Sequence, residues 1–444
     1  MNLSSYVTSN RMVYILIGGI AFVVFLTIIV VLVRLGGGDS ATQSAELEFW
    51  GVFDDRAVFD ETIRAYTAAN ENVSIRYTLF SYADYERELI DALAAGRGPD
   101  VFMIHHTWLP KHGDKLMPAP ERIPGEEEPF FTVAEYNNTF VDVATRDLVS
   151  NNRIYAMPLY VDTLALYWNK DLFGTAGVAL PPKTWTEFND VVPQLVRRDE
   201  QQNIVQAGTS MGTARNVNRS TDILMMLMLQ NGTQMVAPNG SQATFGTSVD
   251  GQPVGENALT YYTDFAMPTK RVYTWNDAQD YNIDAFAAGR VAMMLNYSHQ
   301  IPLIRAKNPR LNFAIAPAPQ HNPADARNYA SYWAVGVSRA SEVSDTAWHF
   351  VRYLTSAPGI VPYLNASLRP SARFDLIDQQ RFDTDLGVFA QQALTARSWF
   401  QADNLAIETI FADMIENVIL GRQTVRRALQ EAEAQVSVLL DRLK

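Results

Sequence analysis

The chain has 444 residues, of which 48% are hydrophobic, a formal net charge of −12 and no cysteine. The acidic balance argues against nucleic acid or an anionic membrane surface as a partner, because both bind through basic patches. The lack of cysteine excludes disulfides, thiolate metal sites, a cysteine nucleophile and a lipid-modified N-terminal cysteine. The length predicts two domains or one large bilobed unit.

An uncharged run near the N-terminus predicts a membrane anchor. Residues 12–33, MVYILIGGIAFVVFLTIIVVLV, are long enough to span the hydrocarbon core of a bilayer as a helix. They follow a short tail, residues 1–11, and precede a small, polar segment, residues 34–45, that is typical of a flexible linker. We favour an uncleaved signal anchor over a cleaved signal peptide, because the run is longer than a secretory apolar region. One arginine on each side leaves the orientation open.

Strands alternate with helices beyond the linker. The segments AELEFWGVF, NVSIRYTLF and GPDVFMIHHTW predict three strands, and an amphipathic helix separates each pair. This alternation implies parallel pairing in a doubly wound α/β sheet. In such sheets ligands bind beyond the carboxyl ends of the strands, so we expect these ends to face a cleft.

The rest of the chain continues the α/β pattern. PKTWTEFNDVVPQL begins with a candidate capping box, with Thr184 or Thr186 as N-cap and Glu187 near the third helical position. The methionine-rich helix DILMMLMLQ is interpreted as core filling rather than a cofactor site. AFAAGRVAMMLNYSH predicts a helix end, a strand and then polar residues, and GRQTVRRALQEAEAQVSVLLDRLK predicts a closing amphipathic helix.

Polar and aromatic side chains follow the first and third predicted strands. Trp50 and Asp54 lie at the end of the first strand, where a core tryptophan and a helix cap are the alternatives to ligand contact. His105, His106 and Trp108 end the third strand. Adjacent histidines on an extended segment point to opposite sides, so we expect only one of them to reach the cleft. A metal site is disfavoured, because the i,i+4 spacing of helical zinc ligands is missing.

Six segments, in order, resemble one family: the extracellular solute-binding proteins of ATP-binding-cassette (ABC) importers, in particular the carbohydrate-binding group typified by maltose-binding protein. The segments are AAGRGPDVF, YAMPLYVDTLALYWNKDLF, PKTWTEF, AFAAGRVAMML, YWAVGVSRAS with the following AWHFVRYLTS, and GRQTV. The resemblance runs from about Glu46 to Leu440. It implies an α/β, two-lobed periplasmic-binding-protein fold, type II-like, whose hinge closes on a ligand that contacts both lobes.

The resemblance also implies bounds for the two lobes. Lobe I is expected to comprise residues 46–161 and 330–372, and lobe II residues 162–329 and 373–444. The chain is expected to cross between the lobes near Tyr160–Asp162, Tyr329–Tyr332 and Ala372.

The strand ends and the family segments together nominate the ligand-binding residues. Trp333 is the favoured stacking platform, and Asp162 matches a position that often carries a ligand-binding carboxylate. His106 is favoured over His105 by its match to the family segment. Glu408 stands where maltose-binding protein has an aromatic residue, and Trp399 is a candidate replacement for that ring. The nominated residues are Trp50, Asp54, His106, Trp108, Tyr160, Asp162, Tyr297, Ser298, His299, Tyr332, Trp333, Arg373, Trp399 and Glu408.

The function that the resemblance implies is capture of a sugar or oligosaccharide outside the cytoplasm and its delivery to an ABC permease. Thr107 and Trp108 stand where maltose-binding protein has an acidic residue and an arginine, which argues against maltose itself. No GxxxxGK[ST] motif is present, so the ATPase is expected to be a separate protein. No catalytic residue, metal or cofactor is expected. The alternatives are an extracellular sensor or adhesin with the same fold, and a glycoside hydrolase with two carboxylates across the cleft.

Overall fold

A computed structural model of the chain describes residues 44–124 and 127–443. The predicted tail, the predicted anchor at residues 12–33 and nearly all of the predicted linker lie outside these ranges. Within them, no helix combines the length and the apolar character that crossing a membrane requires. The anchor therefore stays a prediction from the sequence.

The first part of the chain forms the predicted alternation of strands and helices. Ser81 begins the second helix as its N-cap, because its side chain accepts a hydrogen bond from the amide of Asp84 at 3.3 Å. The elements are β1 (Ala45–Val52), α1 (Arg56–Ala69), β2 (Val73–Phe80), α2 (Tyr82–Ala94), β3 (Val101–His105), α3 (Leu109–His112), β4 (Leu116–Met117), α4 (Val133–Thr139), α5 (Asp142–Leu148), β5 (Val149–Ser150), β6 (Arg153–Ile154) and β7 (Met157–Pro158).

The middle part begins with a two-residue strand and contains the second sheet. Of the two candidate caps, Thr184 is the N-cap, because its hydroxyl accepts from the amide of Glu187 at 3.2 Å. The elements are β8 (Asp162–Thr163), β9 (Ala165–Asn169), α6 (Lys170–Ala176), α7 (Trp185–Leu195), β10 (Arg197–Arg198), β11 (Ile204–Thr209), α8 (Ser220–Gln230), α9 (Val254–Asp264), α10 (Asn282–Ala287), β12 (Val291–Asn296), α11 (Gln300–Lys307) and β13 (Phe313–Ala316).

The last part returns to the first sheet and ends in two long helices. The final helix is amphipathic, as predicted, and buries Leu429, Val436 and Leu440 along one face. The elements are β14 (Asn328–Ser331), β15 (Trp333–Ser338), α12 (Ser344–Leu354), α13 (Ala357–Ser367), α14 (Phe374–Gln380), α15 (Gly387–Ala393), β16 (Ala396–Arg397), α16 (Asn404–Ile419) and α17 (Val425–Asp441).

Two main sheets organise the fold. The first has the order β2-β1-β3-β15-β4, with β7 also paired to β15. The predicted parallel pairing of β1 with β2 and β3 is confirmed. β15 runs antiparallel to β3, with Trp333 opposite His105, so this sheet is mixed rather than wholly parallel. The second sheet has the order β10-β11-β12-β9-β13, and β9 runs antiparallel to both of its neighbours.

Each main sheet has its own hydrophobic core, and the two cores define two lobes. The core of lobe I includes Phe49, Phe59 and Tyr363. The core of lobe II includes the methionine stripe of α8, in which Met226 and Met228 are fully buried. The interpretation of that stripe as core filling is confirmed.

Short strands join the two lobes. β8 pairs antiparallel with β14, and β14 pairs in parallel with β16. Consecutive core residues change lobe at β8 and within β14, where two crossings are expected. Ile377 still packs in the core of lobe I, and Trp399 packs in that of lobe II. The third change of lobe therefore lies around α15 and β16, later than Ala372, because α14 packs back on lobe I. The bounds assigned to the lobes otherwise stay a prediction.

Candidate functional site

A cleft lies between the lobes, where strands of both sheets end. Its empty space, counting the open mouth, is about 820 Å³. Lobe I and the joining strands contribute Phe53, Tyr82, His105, His106, Tyr160, Asp162, Ser331, Trp333 and Arg369. Lobe II contributes Arg219, Thr221, Asp222, Met225, Tyr297, His299, Tyr329, Gln401, Asn404 and Glu408.

Three aromatic rings form an apolar corner in lobe I. Phe53 and Tyr82 stack with ring centroids 5.1 Å apart, and Trp333 meets Phe53 edge-on at 5.8 Å. Phe53 is 50% exposed and Tyr82 39%, whereas Trp333 is only 4% exposed. The exposed pair therefore offers more ring surface to a ligand than the favoured platform Trp333, which packs behind it. Aromatic faces of this kind bind the C–H faces of sugar rings.

Asp162 joins the two lobes at the floor of the cleft. One of its oxygens accepts from the amide and hydroxyl of Ser298, at 3.0 and 2.7 Å, and the other from the amide of Thr163 at 2.9 Å. Burial raises the pKa of Asp162 to about 6, although these hydrogen bonds and the charge of Arg369 act to lower it. Its carboxylate is thus tied to the turn after β12, with His299 Nδ1 at 4.0 Å.

Arg369 reaches the cleft from the segment after α13. Its guanidinium lies over the ring of Tyr160 at 4.8 Å and contacts Asp54 at 3.5 Å. Asp54 also accepts a hydrogen bond from the hydroxyl of Tyr363 at 2.7 Å. Asp54 therefore lies one layer behind the cleft, where it holds Arg369 rather than lining the site.

Both histidines at the end of β3 line the cleft, so the expectation that only one reaches it is wrong. β3 ends at His105, and the chain turns at His106, so the alternation of an extended strand no longer applies there. His106 Nδ1 lies 2.9 Å from Asp147, and its ring stacks on Tyr332 at 4.6 Å. His105 Nδ1 lies 2.8 Å from the hydroxyl of Thr107, and burial lowers the pKa of His105 well below its usual value.

The facing wall of lobe II is charged. The hydroxyl of Tyr297 donates to Asp222 at 2.8 Å, and the guanidinium of Arg219 lies 5.7 Å from the centre of the Tyr297 ring. Burial raises the pKa of Glu408, and the charge of Asp222 adds to the rise while Arg219 opposes it. A cluster of two carboxylates and one guanidinium can both accept from and donate to ligand hydroxyls.

Seven nominated residues line the cleft, and seven do not. Those in the lining are His106, Tyr160, Asp162, Tyr297, His299, Trp333 and Glu408. Those outside it are Trp50, Asp54, Trp108, Ser298, Tyr332, Arg373 and Trp399. A role in binding stays a prediction for every one of them.

The residues outside the lining have structural partners. Trp50 packs on Phe80 at 4.4 Å, and Arg373 pairs with Asp375 at 3.0 Å. Trp399 Nε1 lies 3.4 Å from the sulfur of Met225.

Two other residues outside the lining support it or bridge the lobes. The hydroxyl of Tyr332 donates to Asp147 at 2.8 Å. The indole of Trp108 donates to Asn404 across the two lobes at 2.9 Å.

Sequence reasoning missed several lining residues, among them Phe53, Tyr82, Arg219, Asp222 and Arg369. Phe53 lies between two nominated residues, and the end of β1 was the available signal. Arg219 directly precedes α8, and Arg369 follows shortly after α13. Neither segment has a strand end or a periodicity that predicts a cleft.

Comparison with known proteins identifies relatives across most of the chain. The family described as bacterial extracellular solute-binding protein matches residues 61–387. The maltotriose-binding protein of Pyrococcus abyssi is 23% identical over 325 residues, which cover 70% of this chain and 62% of that protein. The sn-glycerol-3-phosphate-binding periplasmic protein of Pectobacterium atrosepticum is 22% identical over 434 residues, covering 91% of this chain and 93% of that protein.

A solved structure shares the fold. The sugar-binding protein MalE from the phytopathogen Xanthomonas citri superposes with a TM-score of 0.75 at 19% identity, covering 90% of this chain and 98% of that one. At this identity the similarity concerns the fold alone.

Proposed function

The chain belongs to the bacterial extracellular solute-binding proteins, and from this premise we propose that it captures a sugar or oligosaccharide between its two lobes. The observation that carries the proposal is the cleft, which combines exposed aromatic faces with fixed polar groups from both lobes. This combination suits ligands that have apolar ring faces and many hydroxyls. The names of the maltotriose-binding relative and of MalE support a carbohydrate.

Delivery to an ABC permease completes the proposed role. The ligand favours the closed form only insofar as it contacts both lobes, and a permease with a separate ATPase then receives it. The relatives named above are binding proteins, and none of them is described as a sensor, an adhesin or a hydrolase. We accordingly propose binding without catalysis.

The family and the N-terminal sequence both support a proposal for the location of the protein. The family is extracellular, so the two lobes act outside the cytoplasm. The uncharged run at residues 12–33 supports a single-pass anchor that keeps the binding domain at the cell membrane. Deletion of residues 1–43 tests this proposal. Cell fractionation is expected to find the truncated protein in the soluble fraction and the full chain in the membrane fraction. The ligand affinity is expected to be the same for both. A truncated protein that still sediments with membranes would contradict the anchor.

Thermal-shift screening of the purified full chain tests the binding role. A ligand that binds only the folded state raises the melting temperature by mass action. Mono- and oligosaccharides are expected to raise Tm, whereas amino acids and polyamines are not. The reverse pattern would refute the carbohydrate assignment. A parallel assay for new reducing ends is expected to show no release from any oligosaccharide that binds.

A further inference from the structure

Arg219 has a strained backbone at the edge of the cleft. It directly precedes α8 with φ +63°, in the left-handed region that is unusual for a residue with a side chain. Its side chain lines the cleft. Strain of this kind persists only where the surrounding structure imposes it, and it concentrates at ligand sites.

Among the described residues, the guanidinium of Arg219 lies over the Tyr297 ring but is not fixed by a side-chain hydrogen bond. Its Nε is buried without a hydrogen-bond partner. Burial alone would lower its pKa, but the negative charges of Asp222 and Glu408 act to raise it, and no hydrogen bond contributes to the rise. By contrast, Arg215 is 75% exposed and pairs with Asp413 at 3.5 Å. Five N–H donors with so few acceptors point to a ligand that supplies oxygen atoms.

Arg369 of lobe I has the same spare capacity. It is only 8% exposed, its Nε is also buried without a partner, and Asp54 at 3.5 Å is its single ion-pair contact among the described residues. Leu368, directly before it, has φ +53°, a second strained residue next to a cleft arginine. Both arginines act on His299, whose pKa is lowered by burial and by their two positive charges. Both guanidiniums therefore lie in the same cleft.

We propose that Arg219 and Arg369 clamp the ligand from opposite lobes, and that this ligand is an uncharged, hydroxyl-rich sugar rather than a sugar phosphate or sugar acid. The inference rests on the proposed function and names its ligand class. Asp54, Asp162, Asp222 and Glu408 lie around the two arginines, so the positive charge is already balanced before a ligand enters. An anion would meet more carboxylates than guanidiniums. Vicinal hydroxyls fit both, because each can accept from a guanidinium and donate to a carboxylate.

Substitution by methionine tests the clamp. Maltotriose, mannobiose and sn-glycerol 3-phosphate serve as probes in calorimetric titrations of the full chain. R219M is expected to bind the neutral sugar about tenfold or more weakly. Its ligand-free Tm is expected to fall, because Asp222 and Glu408 lose a compensating charge. R219K, which keeps the charge but not the planar fork, is expected to recover part of the affinity. R215M is the matched control and is expected to change neither quantity.

The possible outcomes distinguish failure of the arginine clamp from failure of the proposed sugar-binding function. A sugar that binds the wild type and R219M equally overturns the clamp alone. R369M tests the arginine of lobe I in the same way, and R369K takes its place if loss of the Asp54 contact prevents folding. Unchanged affinity in the variant used overturns the clamp as well. Tighter binding of sn-glycerol 3-phosphate than of the neutral sugars overturns the ligand class. Failure of every sugar and of the phosphate to bind the wild type overturns the proposed function and, with it, the clamp.

Discussion

Phe53 presents its ring to the cleft from a strained backbone. Its φ of +68° lies in the left-handed region, which a bulky residue adopts at a cost of roughly 1–3 kcal/mol. The ring is nevertheless 50% exposed, so its packing within the protein does not by itself offset the free-energy cost of the strained backbone. A ligand that stacks on the ring accounts for both features.

Substitution of Phe53 by glycine and by alanine distinguishes the contribution of the ring to binding from the cost of the positive φ to stability. Both F53G and F53A are expected to weaken sugar binding, because each removes the stacking face. F53G is expected to be more stable than F53A by about 1 kcal/mol, because glycine adopts a positive φ without strain. Urea denaturation measures the stability and calorimetric titration the affinity. F382A, at an exposed ring outside the cleft lining, is the control, and unchanged affinity in F53A would contradict the stacking role.

Asp162 predicts a specific dependence of stability on pH. Burial raises its pKa to about 6 from an ordinary value of 3.8. The folded state therefore holds the proton more tightly than the unfolded chain, so protonation of Asp162 stabilises the fold below pH 4, and this contribution is lost as pH rises through 6. The free energy of unfolding of the wild type minus that of D162N is the quantity to compare. This difference is expected to be about 2–3 kcal/mol larger at pH 4 than at pH 7.

Denaturant unfolding of both proteins at the two pH values measures this difference. D378N removes a carboxylate whose side chain is 76% exposed and is expected to show no comparable pH effect. A gap between wild type and D162N that does not vary with pH would contradict the raised pKa.

At the scale of single residues, sequence patterns located the end of β1 but did not identify Phe53 as the residue there that lines the cleft. Trp50 and Asp54 are nominated by their place at the end of the first predicted strand, but neither lines the cleft. Phe53 between them reaches the cleft through a positive φ, which phenylalanine rarely adopts and no local pattern signals. The roles of His105 and His106 likewise depended on a chain turn that begins one residue after β3.

At the scale of elements, α3 of lobe I and the start of α16 in lobe II are bonded to each other. Lys111 Nζ lies 2.6 Å from Asp403, the N-cap of α16, and 2.6 Å from Glu86. The indole of Trp108 donates to Asn404 at 2.9 Å. Burial acts to raise the pKa of Glu86, but hydrogen bonds with His112 and Lys111 outweigh it and lower the pKa to about 2. These contacts link the lobes at the edge of the cleft, whose lining includes Asn404.

Weakening this link is expected to shorten the lifetime of the bound state. K111M removes a partly exposed ion pair, worth about 0.2–1 kcal/mol, so the ligand dissociation rate is expected to rise a few-fold. W108F removes one hydrogen bond and should act in the same direction. Stopped-flow dissociation measures both variants. K115M is the control, because Lys115 pairs with Asp114 within lobe I, and equal rates in K111M and K115M would contradict the link.

Sequence periodicity predicted the elements better than their assembly. The parallel order of β1, β2 and β3 follows from alternation with single helices. The antiparallel entry of β15 between β3 and β4 joins segments more than 200 residues apart, and no local signal encodes that pairing. The late crossing around α15 and β16 has the same cause, since α14 returns to lobe I by tertiary packing.

At the scale of the whole molecule, the strands that join the lobes are short. β8 and β16 have two residues each, and β14 has four. Few backbone dihedrals must change for one lobe to rotate on the other, which is the usual property of a hinge. Asp162 stands in β8 and is bonded to the turn after β12, so the floor of the cleft moves with lobe II.

Closure of the lobes can be measured directly, because the chain contains no cysteine and two introduced thiols are its only labelling sites. Glu61 of α1 and Glu200 before β11 are exposed on opposite lobes. A donor–acceptor pair in E61C/E200C is expected to change its energy transfer when a sugar that raises Tm is added. The change should saturate with the same Kd as calorimetric titration, because the ligand acts by contacting both lobes.

A second labelled pair within lobe I distinguishes closure from a general effect of the ligand on the dyes. E61C/R97C carries both labels on exposed positions of lobe I, so its energy transfer is expected to stay constant on saturation. If the pair across the lobes also stays constant while the sugar still raises Tm, binding takes place without closure. The ligand would then contact a cleft already closed by the Lys111 and Trp108 link, and loss of that link in K111M/W108F should restore a ligand-dependent change. A constant signal in that variant as well would refute hinge closure for this chain.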